Sequence, residues 1–146
     1  MDEARTALVA CARDWIGTPY RHQASVRGAG CDCLGLLRGL WREVHGTEPE
    51  ALPAYGPDWA ETGRDEALRR GLDRHLRPSP GPLAPGDVLL FRMRARSIAK
   101  HLGILTEAGT APRFVHAYCG HGVVESPLSR PWARRIVAYF RFPAKG

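Results

Sequence analysis

The stretch GAGCDCLGLL, residues 28–37, runs from a glycine-rich loop into an apolar segment and places Cys31 and Cys33 on either side of Asp32. From Cys33 to His45 the apolar residues recur at helical spacing, and a glycine follows as a stop signal, which predicts a helix over these residues. An aspartate directly before a helix suits its N-cap. A helix start favours the thiolate form of a cysteine, so Cys33 has the position of a nucleophile.

The two cysteines also allow two other interpretations. A Cys31–Cys33 disulfide would close a very small and strained ring. A zinc site could combine both thiols with Cys119 and His121, although the C-x-C spacing departs from the pattern usual in zinc sites. The spacing favours the nucleophile and leaves the zinc site open as an alternative.

The rest of the N-terminal half is predicted to contain two more helices. Apolar spacing predicts them over residues 2–16 and 64–76, and the segment 47–63 is predicted to be an irregular loop. Within the central helix, Gly35 and Gly39 are poor helix formers one turn apart. They suggest that another backbone packs closely against this helix.

The last 60 residues change from helical to alternating periodicity. Short β-rich segments separated by turn signals predict strands at DVLLF (87–91), HLGILTE (101–107), RFVHAYC (113–119), GVVES (122–126) and RRIVAYFRF (134–142). Helices followed by strands predict a single α+β domain over residues 1–146, with N-terminal helices packed on a C-terminal antiparallel sheet.

Composition and charge exclude few functions. The chain of 146 residues carries a formal net charge of +6, which favours an anionic partner, but its arginines are scattered and no direct nucleic-acid contact is expected. One local basic cluster, RMRARSIAK, occupies residues 92–100. No apolar run approaches the length of a membrane span. The segment MDEARTALVACARDW has no basic start and no long apolar stretch, so a Sec signal peptide is not predicted.

Two histidines lie on neighbouring predicted strands. If the turn EAGTAP joins these strands as a hairpin, Thr106 pairs near Arg113, and His101 and His116 share one sheet face, opposite or diagonal to each other. A helix whose N-terminus packed over that face would bring Cys33 to His101. The pattern predicts a nucleophile, a base and an orienting group in that order. The other candidates for the orienting role are His121 and Glu125.

The same motifs, in the same order along almost the whole chain, resemble the NlpC/P60 family of cell-wall cysteine peptidases. They are WIGTPY (15–20), GCDCLGLL (30–37), LAPGDVLLF (83–91), HLGIL (101–105) and FVHAY (114–118). The variant motif sequence GTPYRHQAS…GCDCLGL is similar to that of the branch of the family encoded in the tail modules of prophages and gene transfer agents.

The resemblance implies a papain-like α+β fold and a role for each matching residue. Cys33 would be the nucleophile, His101 the general base and His116 the orienting residue, with no metal and no cofactor. Tyr20 and Asp32 match positions that help to bind the free amine of the substrate. The substrate would be a peptidoglycan stem peptide, cleaved between D-glutamate and a diamino acid, with the backbone N–H of Cys33 holding the oxyanion.

Leu34 is the main departure from the family pattern. The family usually has a serine at this position, directly after the nucleophile, whose hydroxyl helps to position the substrate amine. The usual glycine pair after Pro-Tyr is also replaced, by RHQAS. We therefore count Leu34 among the substrate-binding positions and leave the exact stem-peptide bond open.

Three functions follow from these expectations. The first is a peptidoglycan-cleaving cysteine peptidase, made in the cytoplasm, assembled with the hub or tip proteins of a phage-like tail, and acting at the periplasm or cell wall during DNA delivery. The second is a non-catalytic structural or wall-binding tail component with the same fold. The third is a zinc-binding module.

Overall fold

The computed structural model describes residues 3–48, 67–93 and 99–143. Its helices are α1 (Glu3–Asp14), α2 (Cys33–His45), α3 (Ala67–His75) and α4 (Arg130–Ala133). Its strands are β1 (Ser25–Val26), β2 (Gly30–Cys31), β3 (Arg77–Pro78), β4 (Val88–Arg92), β5 (Ala99–Glu107), β6 (Arg113–Tyr118), β7 (Gly122–Pro127) and β8 (Ile136–Arg141).

Six of these strands form one sheet in the order β3-β8-β4-β5-β6-β7, and every neighbouring pair is antiparallel. The strands β1 and β2 pair separately, just before α2. The predicted α+β class is therefore confirmed, with the helices first in the chain and the antiparallel sheet after them.

Helix α2 has the predicted bounds because its signals are local. Asp32 caps its N-terminus, with the Gly35 N–H donating to the carboxylate at 2.7 Å, and Gly46 ends it in the left-handed conformation at φ 82°. Helix α1 ends at Asp14, two residues before the predicted end. Residues 49–66, which include most of the predicted loop and the first residues of the helix predicted over 64–76, lie outside the described residues.

The short elements were not predicted. The two-residue strands β1, β2 and β3 and the four-residue helix α4 are too short to show a period in the sequence. Helix α4 proves important, because it carries Trp132 onto the sheet.

The core has one apolar layer on each face of the sheet, because side chains alternate along each strand. The helix-side layer joins α1, α2 and α3 to residues such as Leu90, Leu102 and Ile104. The opposite layer, which we call the second layer, consists of Leu89, Phe91, Leu105, Phe114 and Leu128, with Leu83, Trp132 and Ile136 at its edge.

Gly35 allows α2 to pack closely against the segment before β1. A Cβ at this position would overlap the main-chain carbonyl oxygen of Ala24, so the expected close approach of another backbone is confirmed. At Gly39 the neighbour is the buried ring of Trp15, a side chain rather than a backbone. These contacts fix the position of the N-terminus of α2, and therefore the position of Cys33.

Among the described residues, no helix is both long enough and apolar enough to cross a lipid bilayer.

Candidate active site

Cys33 is the first residue of α2, and its thiol lies against the main chain of β5. The sulfur is 3.7 Å from the carbonyl oxygen of Lys100 and accepts a hydrogen bond from the backbone amide of Leu102. Lys100 is the extra residue of a β-bulge, because Phe91 pairs with His101 while the next residue of β4 pairs with Ala99. The bulge therefore presents its main chain to the Cys33 thiol at the residue directly before His101.

His101 and His116 form a hydrogen-bonded pair, which we call the imidazole pair. The Nε2 atom of His101 lies 2.8 Å from the Nδ1 atom of His116. The observed register, with Ile104 opposite Val115 and Leu105 opposite Phe114, places the two histidines on one face as diagonal neighbours. The predicted shared face is confirmed.

Ser126 extends the pair into a chain of three side chains. Its Oγ atom lies 2.9 Å from the Nε2 atom of His116. If Nε2 of His116 donates to this hydroxyl, Nδ1 of His116 accepts from Nε2 of His101, and Nδ1 of His101 keeps a lone pair that can take a proton. In this arrangement Ser126 selects the tautomer that a general base needs.

The imidazole pair lies on the sheet face that α2 does not cover. His101 packs against Phe91 and Trp132, and His116 packs against Phe114 and Trp132, all members of the second layer or its edge. The expectation that α2 packs over the histidine face is therefore wrong. The alternation of side chains turns the imidazoles away from α1, α2 and α3, and the Cys33 thiol contacts the main chain of β5 instead.

Burial keeps the resting site uncharged. Burial first, and then the nearby Asp32, raise the pKa of the Cys33 thiol to about 12. Hydrogen bonds from the backbone amides of Leu102 and Leu34 lower this pKa, but by less than burial and Asp32 raise it. Burial likewise lowers the pKa of His101 to about 3 and that of His116 to about 4. The expected thiolate at the helix start is thus corrected to a neutral thiol beside neutral imidazoles, because desolvation outweighs the helix terminus.

Tyr20 and Asp32 lie near the Cys33 thiol. Tyr20 forms an isolated parallel bridge with Cys31, and its pKa is raised above its usual range by burial first and then by the nearby Cys33 and Asp32. Both carboxylate oxygens of Asp32 accept backbone N–H groups at 2.7 Å, one from Gly35 and one from Gln23. Their contacts with a substrate amine stay predictions.

Leu34 is buried at 3% exposure in the helix-side layer. Its side chain packs with the core leucines of α2, so an apolar residue here is consistent with the packing of the helix. Its contact with substrate stays a prediction as well.

The remaining sequence candidates are not assembled into a metal site. Within residues 3–48, 67–93 and 99–143, no three histidine, cysteine or acidic side chains converge closely enough to hold a metal ion, and all four cysteines are unpaired. Both the disulfide and the zinc interpretation therefore lack structural support among these residues.

The two other candidates for the orienting role face elsewhere. His121 is exposed and stacks on Tyr118 with ring centroids 5.0 Å apart. Glu125 accepts from Thr106 at 2.6 Å and from Arg13 at 3.0 Å, on the helix side of the sheet. Neither side chain has a hydrogen bond to the imidazole pair among the described residues.

Sequence reasoning missed Ser126 and Trp132. The register of β6 and β7, with His116 opposite Val124, makes Ser126 the diagonal neighbour of His116 on the same face. Extending the hairpin argument by one strand would have found it. Trp132 carried no such signal, because it stands on a single turn of helix outside the sheet.

Replacement of Ser126 by alanine should weaken the base without disturbing the fold. Without the hydroxyl, His116 can carry its proton on Nδ1, which forces His101 into the tautomer whose Nδ1 is already protonated. For the amide hydrolysis that the sequence resemblance implies, we expect kcat to fall about tenfold, with Ser126→Thr restoring it. Ser129→Ala is the matched control, because that hydroxyl makes no capping hydrogen bond. Equal rates for Ser126→Ala and Ser129→Ala would contradict this role.

Comparison with known proteins adds one curated relative and several solved structures. The chain is 29% identical over 140 residues, or 95% of its length, to the Gamma-DL-glutamyl hydrolase of Bacillus subtilis (strain 168). It spans only 30% of that relative. No protein-family model matches the sequence.

Three solved structures resemble the chain over nearly its whole length. The Staphylococcus aureus Mu50 protein described as similar to lipoprotein, NLP/P60 family, has a TM-score of 0.64 at 21% identity, covering 99% of this chain and 43% of that one. The NlpC/p60 domain of peptidoglycan hydrolase SagA has a TM-score of 0.58 at 21% identity, covering 95% and 98%. An NlpC/P60 family protein from Bacillus cereus ATCC 10987 has a TM-score of 0.63 at 18% identity, covering 94% and 40%. The chain therefore has the NlpC/P60 fold.

Proposed function

We propose that this chain is a cysteine peptidase that hydrolyses γ-glutamyl amide bonds in peptidoglycan stem peptides. The observation that carries the proposal is the Cys33 thiol at a helix N-terminus, 3.7 Å from the carbonyl oxygen of Lys100, whose neighbour in the chain, His101, begins the hydrogen-bonded chain to His116 and Ser126. A nucleophile, a base and an orienting group arranged in this order are what acyl transfer requires.

The proposed reaction begins from the neutral site. As Sγ of Cys33 attacks the amide carbonyl, the thiol proton passes to Nδ1 of His101, and His116 stabilises the resulting imidazolium through its bond to Nε2. The backbone N–H of Cys33, in the first turn of α2, has no intrahelical acceptor and can hold the oxyanion. The imidazolium then protonates the departing amine, and water attacks the thioester to release the acid and restore the thiol.

The γ-glutamyl bond is proposed on two grounds. The curated relative is a Gamma-DL-glutamyl hydrolase, and one structural neighbour is the domain of a peptidoglycan hydrolase. A stem-peptide bond between D-glutamate and a diamino acid belongs to this chemical class. The positive net charge of the chain suits a substrate that carries free carboxylates.

The direct test is to incubate the protein with purified sacculi and, separately, with two synthetic peptides. Each peptide contains a D-glutamate followed by a diamino acid, joined by a γ-linkage in one peptide and by an α-linkage in the other. Mass spectrometry should find soluble stem-peptide fragments from the sacculi and cleavage of the γ-linked peptide alone. Cys33→Ala serves as the blank. Failure to release fragments and to cleave either peptide would refute the proposal, whereas cleavage of the α-linked peptide alone would refute only the bond.

We further propose that the chain works as part of a phage-like tail, made in the cytoplasm and carried to the periplasm or cell wall on a particle. The support is the motif sequence GTPYRHQAS…GCDCLGL, which is similar to the corresponding sequence of tail-encoded domains. Antibody detection across a density gradient should find the chain in particle fractions and at the tail tip. A chain found only as free protein would contradict this placement.

The alternative function is a non-catalytic wall-binding or structural component of the same fold. Its support is Leu34, where the resemblance expects a serine. In that case sacculi should bind the protein and Cys33→Ala equally, and no fragment should be released by either. The hydrogen-bonded chain behind His101 favours the peptidase, because binding alone does not need it.

A further inference from the structure

Trp132 is the contact that the residues around the imidazole pair share. Its ring centroid lies 5.5 Å from that of His101, 5.1 Å from that of His116 and 5.6 Å from that of Tyr118. The indole meets the His116 and Tyr118 rings nearly edge-on, at interplanar angles of 78° and 75°. One side chain therefore packs against both imidazoles and the tyrosine beside them.

The surroundings hold Trp132 in this place. Phe91 and Phe114 of the second layer meet its ring at centroid distances of 5.3 and 5.4 Å, both in edge-on geometry. The guanidinium of Arg135 lies over the ring, 5.6 Å from its centroid. Helix α4 is only a single turn, so these ring contacts position the indole more than the helix does.

The imidazole pair is correspondingly dry. His101 is 7% exposed and His116 is 1% exposed, and the hydrogen bonds described for their rings are those within the pair and to Ser126. Burial is the first cause of the lowered pKa of both rings. An imidazole that stays neutral can act as a base from the start of the reaction.

Among the described residues, four other titratable or charged groups lie around the pair. The Tyr118 ring packs against both imidazoles, His121 stacks on Tyr118, the Arg135 guanidinium lies over Trp132, and the Cys33 thiol lies against the main chain of β5 at Lys100. Positive charge on His121 further lowers the pKa of His116. None of these groups is an anion that would stabilise an imidazolium at neutral pH. The exclusion of water therefore determines whether His101 and His116 are charged.

We propose that Trp132 is a positioning residue that excludes water from the imidazole pair and so keeps both rings neutral and in one hydrogen-bonded arrangement. The importance of this for catalysis rests on the proposed peptidase function. The exclusion of water does not, because it is a property of the packed rings and can be measured in a protein that cleaves nothing.

The test compares Trp132→Ala and Trp132→Phe with the native protein, using NMR titration of ring-labelled histidines. In the native protein the pair should not titrate between pH 5 and pH 8. In Trp132→Ala, water reaches the rings, and the midpoint of at least one should rise by about one pH unit or more. Trp132→Phe, which leaves a smaller gap, should give a smaller rise in the same direction.

Trp41→Ala is the matched control. Trp41 is also partly buried and also packs against histidines, with its ring centroid 4.6 Å from that of His45 and 6.2 Å from that of His75. Its removal should leave the titration of the imidazole pair unchanged. Circular dichroism identifies which variants are folded, and Trp132→Phe carries the test if Trp132→Ala does not fold.

Unchanged midpoints in either folded Trp132 variant would overturn the proposal. If the chain is a peptidase, the acidic limb of its pH–rate profile should move upward together with the midpoints, whereas a purely structural role would lower the rate equally at every pH. If it cleaves nothing, the titration alone decides the role of Trp132, so failure of the proposed function and failure of this inference give different results.

Discussion

Cys33→Ala and His101→Ala should each lower kcat for stem-peptide hydrolysis by at least about 10⁴-fold. The first removes the sulfur that is proposed to form the thioester, and the second removes the proposed acceptor for its proton. Because the resting thiol has a pKa raised to about 12 by burial, almost none of it ionises near neutral pH without a base. Stopped or continuous assays on the γ-linked peptide provide the measurement.

The double variant makes this prediction sharper. Residues that act as one unit are strongly non-additive, so Cys33→Ala combined with His101→Ala should be no slower than either single variant. His121→Ala is the matched control, because that imidazole is exposed and stacks on Tyr118 instead of joining the pair. Its rate should stay close to that of the native protein. Independent, multiplying losses from Cys33→Ala and His101→Ala would mean that the two do not act together.

Gly35→Ala should destabilise the fold by at least about 3 kcal/mol, although alanine normally stabilises a helix relative to glycine by about 1 kcal/mol. The added Cβ overlaps the carbonyl oxygen of Ala24 and lies 3.0 Å from Oδ1 of Asp32. That carbonyl cannot yield freely, because it accepts the Asp32 N–H. The Gly35 carbonyl in turn accepts the hydroxyl of Ser25 at 2.6 Å, so displacement of the helix would break a second contact.

Urea unfolding measures this loss, and Gly109→Ala is the control for it. Gly109 lies in the exposed turn after β5 with φ 95°, and nothing is within 4 Å of the position of its Cβ. Only the left-handed backbone opposes alanine there, at about 1 kcal/mol. A Gly35→Ala protein as stable as Gly109→Ala would show that α2 and the segment before β1 are not packed as described.

Local sequence signals were sufficient to predict α2, the helix that begins at Cys33. The bounds of α2 follow from apolar spacing, an aspartate at the N-cap and a glycine at the end, all of which act within one or two turns. The shared face of His101 and His116 followed in the same way. In a hairpin with a short turn, the residue pairing between the two strands determines which of their side chains share a face of the sheet.

The arrangement of layers could not be predicted in this way. Alternation shows that two side chains share a face, but it does not show which face the helices cover. The bulge at Lys100 and the single turn of α4 depend on contacts between segments far apart in the chain, and no short window of sequence contains them. Trp132 was missed for this reason.

The sequence by itself thus determined the helix that begins at Cys33 and the pairing of the two histidines, because those features depend on neighbours along the chain or across one hairpin. Only the tertiary structure decided the charge state of the site, in which burial holds Cys33 as a thiol and His101 and His116 as neutral imidazoles. Desolvation is the sum of everything packed around a group, and its partners here come from α2, the four strands β4 to β7, and α4. That sum exists only once the chain has folded.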